Sequence, residues 1–355
     1  MMIFISKTSS SFFNTLSTTK TFIFKQTMSI ATTTTDKSSN EQPAILKWAS
    51  KDGEFRRQQS IFRDIIEDNP NAKFAAERDR YHLYISWACP WAHRTAIVRN
   101  LKGLDSFIGL SVVDFLMLDQ GWKFSTAEEC PGAIPDTINN ASYLRDLYLM
   151  VNPNYQGRFT VPVLWDKKLK TIVNNESSEI IRIFNTAFNR FLSKEKAELN
   201  YYPEHLQKEI DENNEWIYDT INNGVYKSGF ATTQDAYENH VYPLFKSLDR
   251  VEKMLEGKKY LVQDTFTEAD IRLFTTIVRF DPVYFGHFKC NLGSIEHNYP
   301  NILKWTRRIY QKPGVKETVH MDHIKKHYYM SHRHINPTQV VPVNNGPDLD
   351  IPVEP

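Results

Sequence analysis

The 355-residue chain has few cysteines, namely Cys89, Cys130 and Cys290. They are widely spaced and odd in number, which argues against a disulfide framework and favours a reducing compartment such as the cytoplasm. We expect at most one or two of them to carry chemistry. Because nothing around Cys130 or Cys290 would activate a thiol, we predict that both are structural.

A large excess of charge and a long apolar run are also missing. Basic residues number 43 and acidic residues 42, giving a net charge of +1, and no long basic run follows the chain. Nucleic acid is therefore not an expected partner. No apolar run reaches ~18 residues, so no membrane span is predicted. The chain is instead rich in hydrophobic (41%) and aromatic (13%) residues, enough for about two folded domains.

The two ends of the chain differ from its middle. Residues 1–35 contain no acidic residue and many Ser and Thr, as in mitochondrial targeting sequences, but they also contain no arginine. We expect residues 1–45 to be a disordered or targeting tail, and the protein to be cytoplasmic, or mitochondrial if translation starts at Met1. Residues 337–355 contain five prolines and are predicted to form an extended arm.

Between the tails, the hydrophobic pattern changes from strand-like to helical. Residues 81–86 and 108–113 are β-prone and flank a predicted helix, which indicates a βαβ unit. After a long irregular stretch over 114–157, the pattern predicts two adjacent strands and another helix; from residue 205 onward it is almost entirely helical, with a last helix over 315–327. The sequence thus predicts an α/β domain over 46–195 and an all-α domain over 196–336.

Cys89 lies where the first strand ends and the first helix begins. Pro90 suits a first helical turn, which places Cys89 at or beside the N-cap. The helix dipole and free N–H groups there favour a thiolate, so a lowered pKa is predicted for Cys89. His93 and Arg94 are candidates for adding positive potential; the alternative is that Cys89 is only a small buried side chain. Ala92 stands where a redox Cys-x-x-C motif has its second cysteine, so an external thiol would have to resolve a mixed disulfide on Cys89.

Two further motifs suggest a ligand site. Pro162 enters a predicted strand, where it cannot donate a hydrogen bond, so it marks an edge strand or a cis bond. In thioredoxin-like folds such a proline leaves the preceding backbone, here that of Val161, free to pair with a peptide-like ligand. Ser177 at a helix start is a candidate clamp for a carboxylate, and Glu176 for an ammonium group. Alternatively, Ser177 only caps its own helix.

Taken together, Cys89-Pro90, Val161-Pro162 and Glu176-Ser177, followed by a helical domain, resemble the omega type of glutathione transferases. The segments 89–94, 120–124, 222–231 and 279–291 are similar to those of the glutathionyl-hydroquinone reductases, or Xi class, and the resemblance extends over about 46–342. It implies the glutathione transferase fold, an α/β thioredoxin-like N-terminal domain plus an all-α C-terminal domain.

The resemblance also implies ligands and their contacts. Glutathione would be a co-substrate, with no permanently bound cofactor. It would stack on Trp122, touch Arg158, bridge to the backbone of Val161, and be held at its γ-glutamyl end by Glu176 and Ser177. A second pocket would be rimmed by tyrosines, namely Tyr226, Tyr284 and either Tyr328 or Tyr329.

The implied activity is removal of glutathione from glutathionyl-hydroquinones by Cys89. An omega-type thioltransferase or dehydroascorbate reductase and a non-catalytic binding protein are the alternatives. The resemblance further implies a homodimer formed through the helical domain. The many aromatic residues beyond residue 200 agree with this, since surplus apolar surface is usually buried in such contacts.

Two other patterns have a structural interpretation. Thr267 and Asp270 predict a capping box, with Phe266 and Ile271 as its hydrophobic staple. This pattern also resembles one in the helical domain of glutathione transferases. Five histidines crowd residues 320–334, but few carboxylates or cysteines lie near them to complete a metal site. We therefore expect no metal, and predict a solvated or dimer-contact helix.

Overall fold

The computed structural model describes residues 52–354, and the tail predicted for residues 1–45 lies outside them. The strands are β1 (Tyr81–Ile85), β2 (Gly109–Val112), β3 (Met117–Leu118), β4 (Gly121–Trp122), β5 (Val163–Asp166) and β6 (Thr171–Asn174). A four-stranded sheet has the order β2-β1-β5-β6, and a two-stranded hairpin pairs β3 with β4. Strand β1 is parallel to β2 and antiparallel to β5, which is antiparallel to β6.

Helices surround this sheet and form nearly all of the chain beyond it. In the first half they are α1 (Pro90–Leu101), α2 (Leu144–Val151), α3 (Ser177–Thr186) and α4 (Lys194–Glu198). In the second half they are α5 (Gln207–Ile217), α6 (Gly224–Gly229), α7 (Gln234–Met254), α8 (Glu268–Ile277), α9 (Ile295–Asn298), α10 (Pro300–Tyr310) and α11 (Met321–Ser331). Two π-helical turns, Tyr218–Asn222 and Phe280–Tyr284, follow α5 and α8.

Helix α1 joins the α/β half to the helical half. It packs against α3 on one side and α8 on the other, and nearly all of its side chains are buried. Burial on all sides explains why its sequence lacks an apolar stripe. Its first residue is Pro90, whose fixed φ angle suits the first turn, and its N-cap is Cys89 in an extended conformation. The start of α1 therefore lies at the junction of the two halves.

The predicted architecture, an α/β half followed by helices, is confirmed, with two differences. Helix α2 lies inside the stretch predicted to be irregular; it is short and begins with Tyr143 as its N-cap, where Asp146 accepts from the Tyr143 N–H. The last predicted helix, over 315–327, is instead α11, with a single 3₁₀ turn before it.

The predicted capping box at the start of α8 is confirmed. Thr267 Oγ1 accepts from the Ala269 N–H, and the Thr267 N–H donates to Asp270 Oδ2. Asp270 also accepts from the Leu261 N–H and from the indole N–H of Trp305. Its carboxylate thus fixes three segments of the helical half, and burial raises its pKa to about 6.

The end of the described chain forms an arm along the helices. Residues 337–354 contain no helix or strand. The side chain of Gln311, the C-cap of α10, donates to the carbonyl of Leu349, and that of Lys325 on α11 donates to the carbonyl of Val343. Over residues 52–354, no helix combines the length and apolar character needed to cross a bilayer.

Candidate active site

Cys89 lines one of two adjoining cavities and keeps partial solvent exposure. Its Sγ is 3.6 Å from the carbonyl oxygen of Val161. The Val161-Pro162 bond is cis, which is one of the two alternatives that the sequence predicted for this proline. The loop before β5 and the start of α1 therefore face each other, with the Cys89 thiol between them.

The electrostatic setting of Cys89 differs from the prediction. Burial raises the pKa of the Cys89 thiol above its ordinary value. The backbone N–H groups of Ala92 and Trp91 lower the pKa, as expected for a helix N-terminus, and so do the charges of Arg279 and Arg57. The predicted lowering is therefore wrong, because desolvation outweighs these contributions.

The two neighbours expected to add positive potential behave differently from each other. His93 is fully buried between Arg279 and Thr318, and burial holds its pKa well below the usual range, so its ring is neutral. Arg94 is also buried; it donates to Ser177 Oγ, and burial lowers its pKa to about 9. Of the two, Arg94 is the candidate for the predicted role.

The first cavity is a polar cleft that includes Glu176 and Ser177 at the start of α3. The N-cap of α3 is Glu176, whose carboxylate accepts from the Ser178 N–H, so the alternative in which Ser177 caps the helix is wrong. Ser60, which lies in the segment before β1, donates from its Oγ to the same carboxylate. Arg158 and Val161 line this cleft and the second cavity, so the two are continuous.

The second cavity is an aromatic pocket that contains the Cys89 thiol, Trp122, Tyr226 and Tyr328. Trp122 stacks on the ring of His327, with ring centres 4.8 Å apart. The hydroxyls of Tyr226 and Tyr328 are hydrogen-bonded to each other. Of the pair left open by the sequence, Tyr328 lines the pocket, whereas the Tyr329 hydroxyl points to the carbonyl of Pro282.

Tyr284, which was also predicted to rim the second pocket, lines neither cavity. It is fully buried behind Tyr328, and the hydroxyls of the two tyrosines are 3.1 Å apart. The expected direct contact of Tyr284 with a substrate is therefore corrected to an indirect one, because Tyr328 lies between it and the pocket.

Two residues at the junction of the cavities were not singled out from the sequence. The guanidinium carbon of Arg57 lies 3.6 Å from the centre of the Trp91 ring, and both residues line both cavities. Arg57 Nε donates to Asn223 Oδ1, but its buried Nη2 has no hydrogen-bond partner among the described residues. Trp91 could have been identified from the sequence, because it lies within the Cys-Pro-Trp motif. Arg57 could not, because its segment has no hydrophobic periodicity or motif.

The other two cysteines lie away from this site. Both are buried, and burial raises the pKa of Cys130 to about 11 and also raises that of Cys290. The histidines of residues 320–334 are largely buried, and they contact different partners. His320 stacks on Trp87, and His323 contacts the carbonyl of Pro131. Within residues 52–354, no three metal-binding side chains are grouped around a common point.

Comparison with known proteins places the chain among glutathione transferases. The family models for the N-terminal and C-terminal domains of glutathione S-transferase match residues 88–187 and 234–308. Glutathione S-transferase omega-like 2 of Schizosaccharomyces pombe is 54% identical over 86% of this chain and 98% of the relative. Glutathionyl-hydroquinone reductase YqjG of Escherichia coli is 53% identical over 85% of this chain and 92% of that protein.

The solved structures agree with the sequence relatives. The glutathione transferase Xi of Phanerochaete chrysosporium has a TM-score of 0.83 and 57% identity, covering 86% of this chain and 97% of that one. The glutathione-bound structure of YqjG has a TM-score of 0.78, covering 85% of this chain and 96% of that one. The chain therefore belongs to the glutathione S-transferase family and, within it, to the Xi class.

Proposed function

We propose that this protein is a glutathione-dependent reductase that removes glutathione from glutathionyl-hydroquinones through Cys89. The products are the free hydroquinone and glutathione disulfide. One observation carries the proposal: the Cys89 thiol lines an aromatic pocket with Tyr226 and Tyr328, and this pocket shares Arg158 and Val161 with a polar cleft containing Glu176 and Ser177. A substrate that joins a charged tripeptide to an aromatic ring through sulfur fits both cavities at once. The 53% identity to a relative named glutathionyl-hydroquinone reductase supports the same activity.

The polar cleft would hold the glutathionyl part of the substrate. The Glu176 carboxylate would attract the ammonium of the γ-glutamyl end, and Ser177 with the first turn of α3 would bind its carboxylate. The backbone of Val161, opposite Cys89, would pair with the peptide portion, and Arg158 would attract a carboxylate. Trp122 would pack against the glutathione from the pocket side. No permanently bound cofactor is needed for this chemistry.

The aromatic pocket would hold the hydroquinone ring. The hydroxyls of Tyr284, Tyr328 and Tyr226 form a chain from the buried interior to the pocket. If each hydroxyl donates to the next toward the pocket, the Tyr226 hydroxyl has its proton left for a ring oxygen of the substrate. Tyr284 then acts by orienting Tyr328, which is consistent with its burial behind the pocket.

The reaction would proceed in two thiol exchanges. The substrate first tautomerises to a ketone, so that the ring carbon bonded to sulfur gains a proton. The Cys89 thiolate then attacks that sulfur, the carbon–sulfur bond breaks with its electron pair going to the ring, and the hydroquinone leaves. A second glutathione, as thiolate, attacks the mixed disulfide on Cys89, releasing glutathione disulfide and the Cys89 thiolate. Ala92 supplies no resolving thiol, which agrees with the need for that second glutathione.

Arg57 would add a contact that the family resemblance did not imply. Its buried Nη2 group has no partner among the described residues and lies at the junction of the cavities. A buried donor without a partner is costly, and an oxygen of the bound substrate would satisfy it. We propose that Arg57 binds the substrate close to the sulfur that Cys89 attacks.

A substrate panel with glutathione as reductant tests the proposed function. The panel contains a glutathionyl-hydroquinone, dehydroascorbate, a small disulfide and chlorodinitrobenzene. We expect the highest kcat/KM for the glutathionyl-hydroquinone. A preference for dehydroascorbate or the disulfide would instead assign the protein to the omega-type thioltransferases. A rate confined to chlorodinitrobenzene would contradict Cys89-based reduction, because that conjugation requires glutathione itself to be the nucleophile.

We further propose a cytoplasmic homodimer formed through the helical half. All three cysteines are unpaired, as a reducing compartment requires. The aromatic surplus used to argue for a dimer is smaller than the sequence suggests, because Phe280, Tyr284, Phe288, Tyr328 and Tyr329 are buried within the chain. The proposal now depends on the apolar side chains that stay exposed, among them Tyr242, Phe285 and Leu292.

A further inference from the structure

Arg279 is a buried cation beside the active site that the proposed chemistry does not use. It lies between α8 and the π-helical turn Phe280–Tyr284, and its side chain is fully buried. Among the residues that the structure describes, no carboxylate lies within ion-pair distance of it. A buried charge without a counter-ion is rare, because its desolvation is expensive. The hydrogen bonds of the Arg279 guanidinium therefore indicate its role.

These contacts lead to the turn that precedes Cys89. Arg279 Nε donates to the carbonyl of Ala88 at 2.9 Å, and Nη2 donates to the carbonyl of Trp87 at 2.8 Å. Nη1 donates to the carbonyl of Thr275, in the last turn of α8, at 2.6 Å. One guanidinium thus ties the helical half to the two residues that come immediately before the nucleophile.

The fourth contact of Arg279 is with His93, on the first turn of α1. Nη1 lies 3.0 Å from His93 Nδ1, and because arginine can only donate, Nδ1 is the acceptor. His93 Nε2 therefore carries the proton and donates to Thr318 Oγ1 at 2.7 Å, which in turn donates to the carbonyl of Val315 at 2.6 Å. This arrangement requires a neutral His93, in agreement with its lowered pKa.

The charge of Arg279 also acts on Cys89. Of the charged groups that lower the pKa of the Cys89 thiol, Arg279 contributes most, ahead of Arg57. Other charged or titratable groups surround the thiol from α1, α6, α11 and the loop before β5, namely Arg94, Arg158, Tyr226, His327, Tyr328 and His332. Over residues 52–354, the side-chain hydrogen bonds to the carbonyls of Trp87 and Ala88 come from Arg279, so Arg279 combines an electrostatic effect on Cys89 with a direct contact to the turn before it.

We propose that Arg279 is a positioning residue for the nucleophile: it fixes the Trp87-Ala88 turn and, through its charge, stabilises the Cys89 thiolate. The proposal rests on the proposed function only in taking Cys89 as the nucleophile. The thiolate exists twice in each turnover, as the attacking group and as the leaving group when the second glutathione arrives. Arg279 would stabilise it both times, without touching the substrate.

The test is the pH dependence of Cys89 alkylation by iodoacetamide, in a protein whose Cys130 and Cys290 are replaced by Ser. This readout needs no substrate, so its result tests the role of Arg279 whether or not the protein has the proposed reductase activity. Arg279→Gln should shift the midpoint of the rate profile to higher pH and lower the rate at pH 7 by roughly tenfold, because a nearby cation typically lowers a thiol pKa by one unit or more. Arg279→Lys should keep the midpoint closer to that of the parent protein, because it keeps the charge, yet lower kcat by losing the forked contacts.

Arg99→Gln is the matched control. Like Arg279, Arg99 is buried. It lies in the last turn of α1, at the end of the helix opposite Cys89, and donates to the carbonyl of Ile108. Its loss should lower thermal stability without moving the alkylation midpoint. An Arg279→Gln variant that behaves like Arg99→Gln, destabilised but with an unchanged midpoint, would overturn the proposal and leave Arg279 a structural residue.

His93→Leu keeps the proposal testable if Arg279→Gln fails to fold. This change removes one acceptor of the guanidinium but keeps its charge. We expect a severalfold loss of kcat with a nearly unchanged alkylation midpoint. A kcat equal to that of the parent protein would contradict the positioning role.

Discussion

The Sγ of Cys89 lies 3.6 Å from the carbonyl oxygen of Val161, so the start of α1 and the loop before β5 form the two sides of one reaction centre. The Cys89→Ser variant should lose nearly all deglutathionylation, because a hydroxyl cannot form the mixed disulfide. Glutathione binding, measured by calorimetry, should persist. Cys130→Ser and Cys290→Ser are the controls and should stay active, since both thiols are buried away from the pocket. More than a few per cent of activity in Cys89→Ser would move the nucleophile elsewhere.

Trp122→Ala separates binding from reactivity. Trp122 lines the pocket and stacks on His327, but it makes no hydrogen bond to Cys89. We expect weaker glutathione binding by calorimetry and an unchanged rate of Cys89 alkylation by iodoacetamide. A parallel loss of both would mean that Trp122 maintains the structure of the pocket and does not contact the ligand.

Arg57→Gln tests the donor at the junction of the two cavities. Because a hydrogen bond from a charged group typically contributes about 1.5–3 kcal/mol, KM for the glutathionylated substrate should rise roughly tenfold or more, with a smaller change in kcat. Arg56→Gln is the matched control: Arg56 is exposed and pairs with Asp52, so its loss should leave both constants close to those of the parent protein. Equal effects of the two changes would contradict a specific role for Arg57.

Asp270 gives the helical half a defined pH dependence. Its pKa is raised by burial to about 6, above its ordinary value, so the folded state holds the proton more tightly than the unfolded state. Stability from this residue is therefore present at pH 4 and declines as the pH rises through 6. The difference in unfolding free energy between the parent protein and Asp270→Asn should fall over that window by on the order of 2–3 kcal/mol. A difference that stays constant or grows with pH would contradict this assignment.

Light scattering at micromolar concentration tests the assembly and should report twice the mass of the 41.5 kDa chain. Replacing Tyr242 and Leu292 together by Glu should shift the protein toward a monomer, because both are exposed in the helical half. Leu169→Glu, at a similarly exposed apolar position in the α/β half, is the control and should leave the dimer intact. A monomeric parent protein would refute the dimer, and disruption by Leu169→Glu would refute its location.

Local signals in the sequence were enough for the framework of the site. Cys89-Pro90 predicts a cysteine at a helix N-terminus, because the preference of proline for the first helical turn does not depend on tertiary contacts. Thr267 and Asp270 predict their capping box for the same reason, since both partners lie within one helical turn.

What the sequence did not reveal depends on contacts between distant segments. Arg57 and Arg279 reach the site from positions far from Cys89 in the chain. No local pattern marks Arg57. Arg279 begins the segment 279–291 that carries the family resemblance, but nothing in that segment shows that its side chain reaches the turn before Cys89. The pKa of Cys89 was predicted in the wrong direction because the dipole of α1 is a local property, whereas the depth of burial results from packing against the helical half. Tyr284 was expected at the surface of the pocket, but Tyr328, from the last helix, lies in front of it.

Intact-mass analysis of a single turnover tests the central claim most directly. Protein with Cys130 and Cys290 replaced by Ser is mixed with one equivalent of a glutathionyl-hydroquinone, without free glutathione, and quenched with acid. We expect the hydroquinone to be released in an amount equal to the protein, and one glutathionyl group to be found on Cys89 by peptide mapping. Release of hydroquinone without any mass gain on Cys89, or no release until free glutathione is added, would contradict the account.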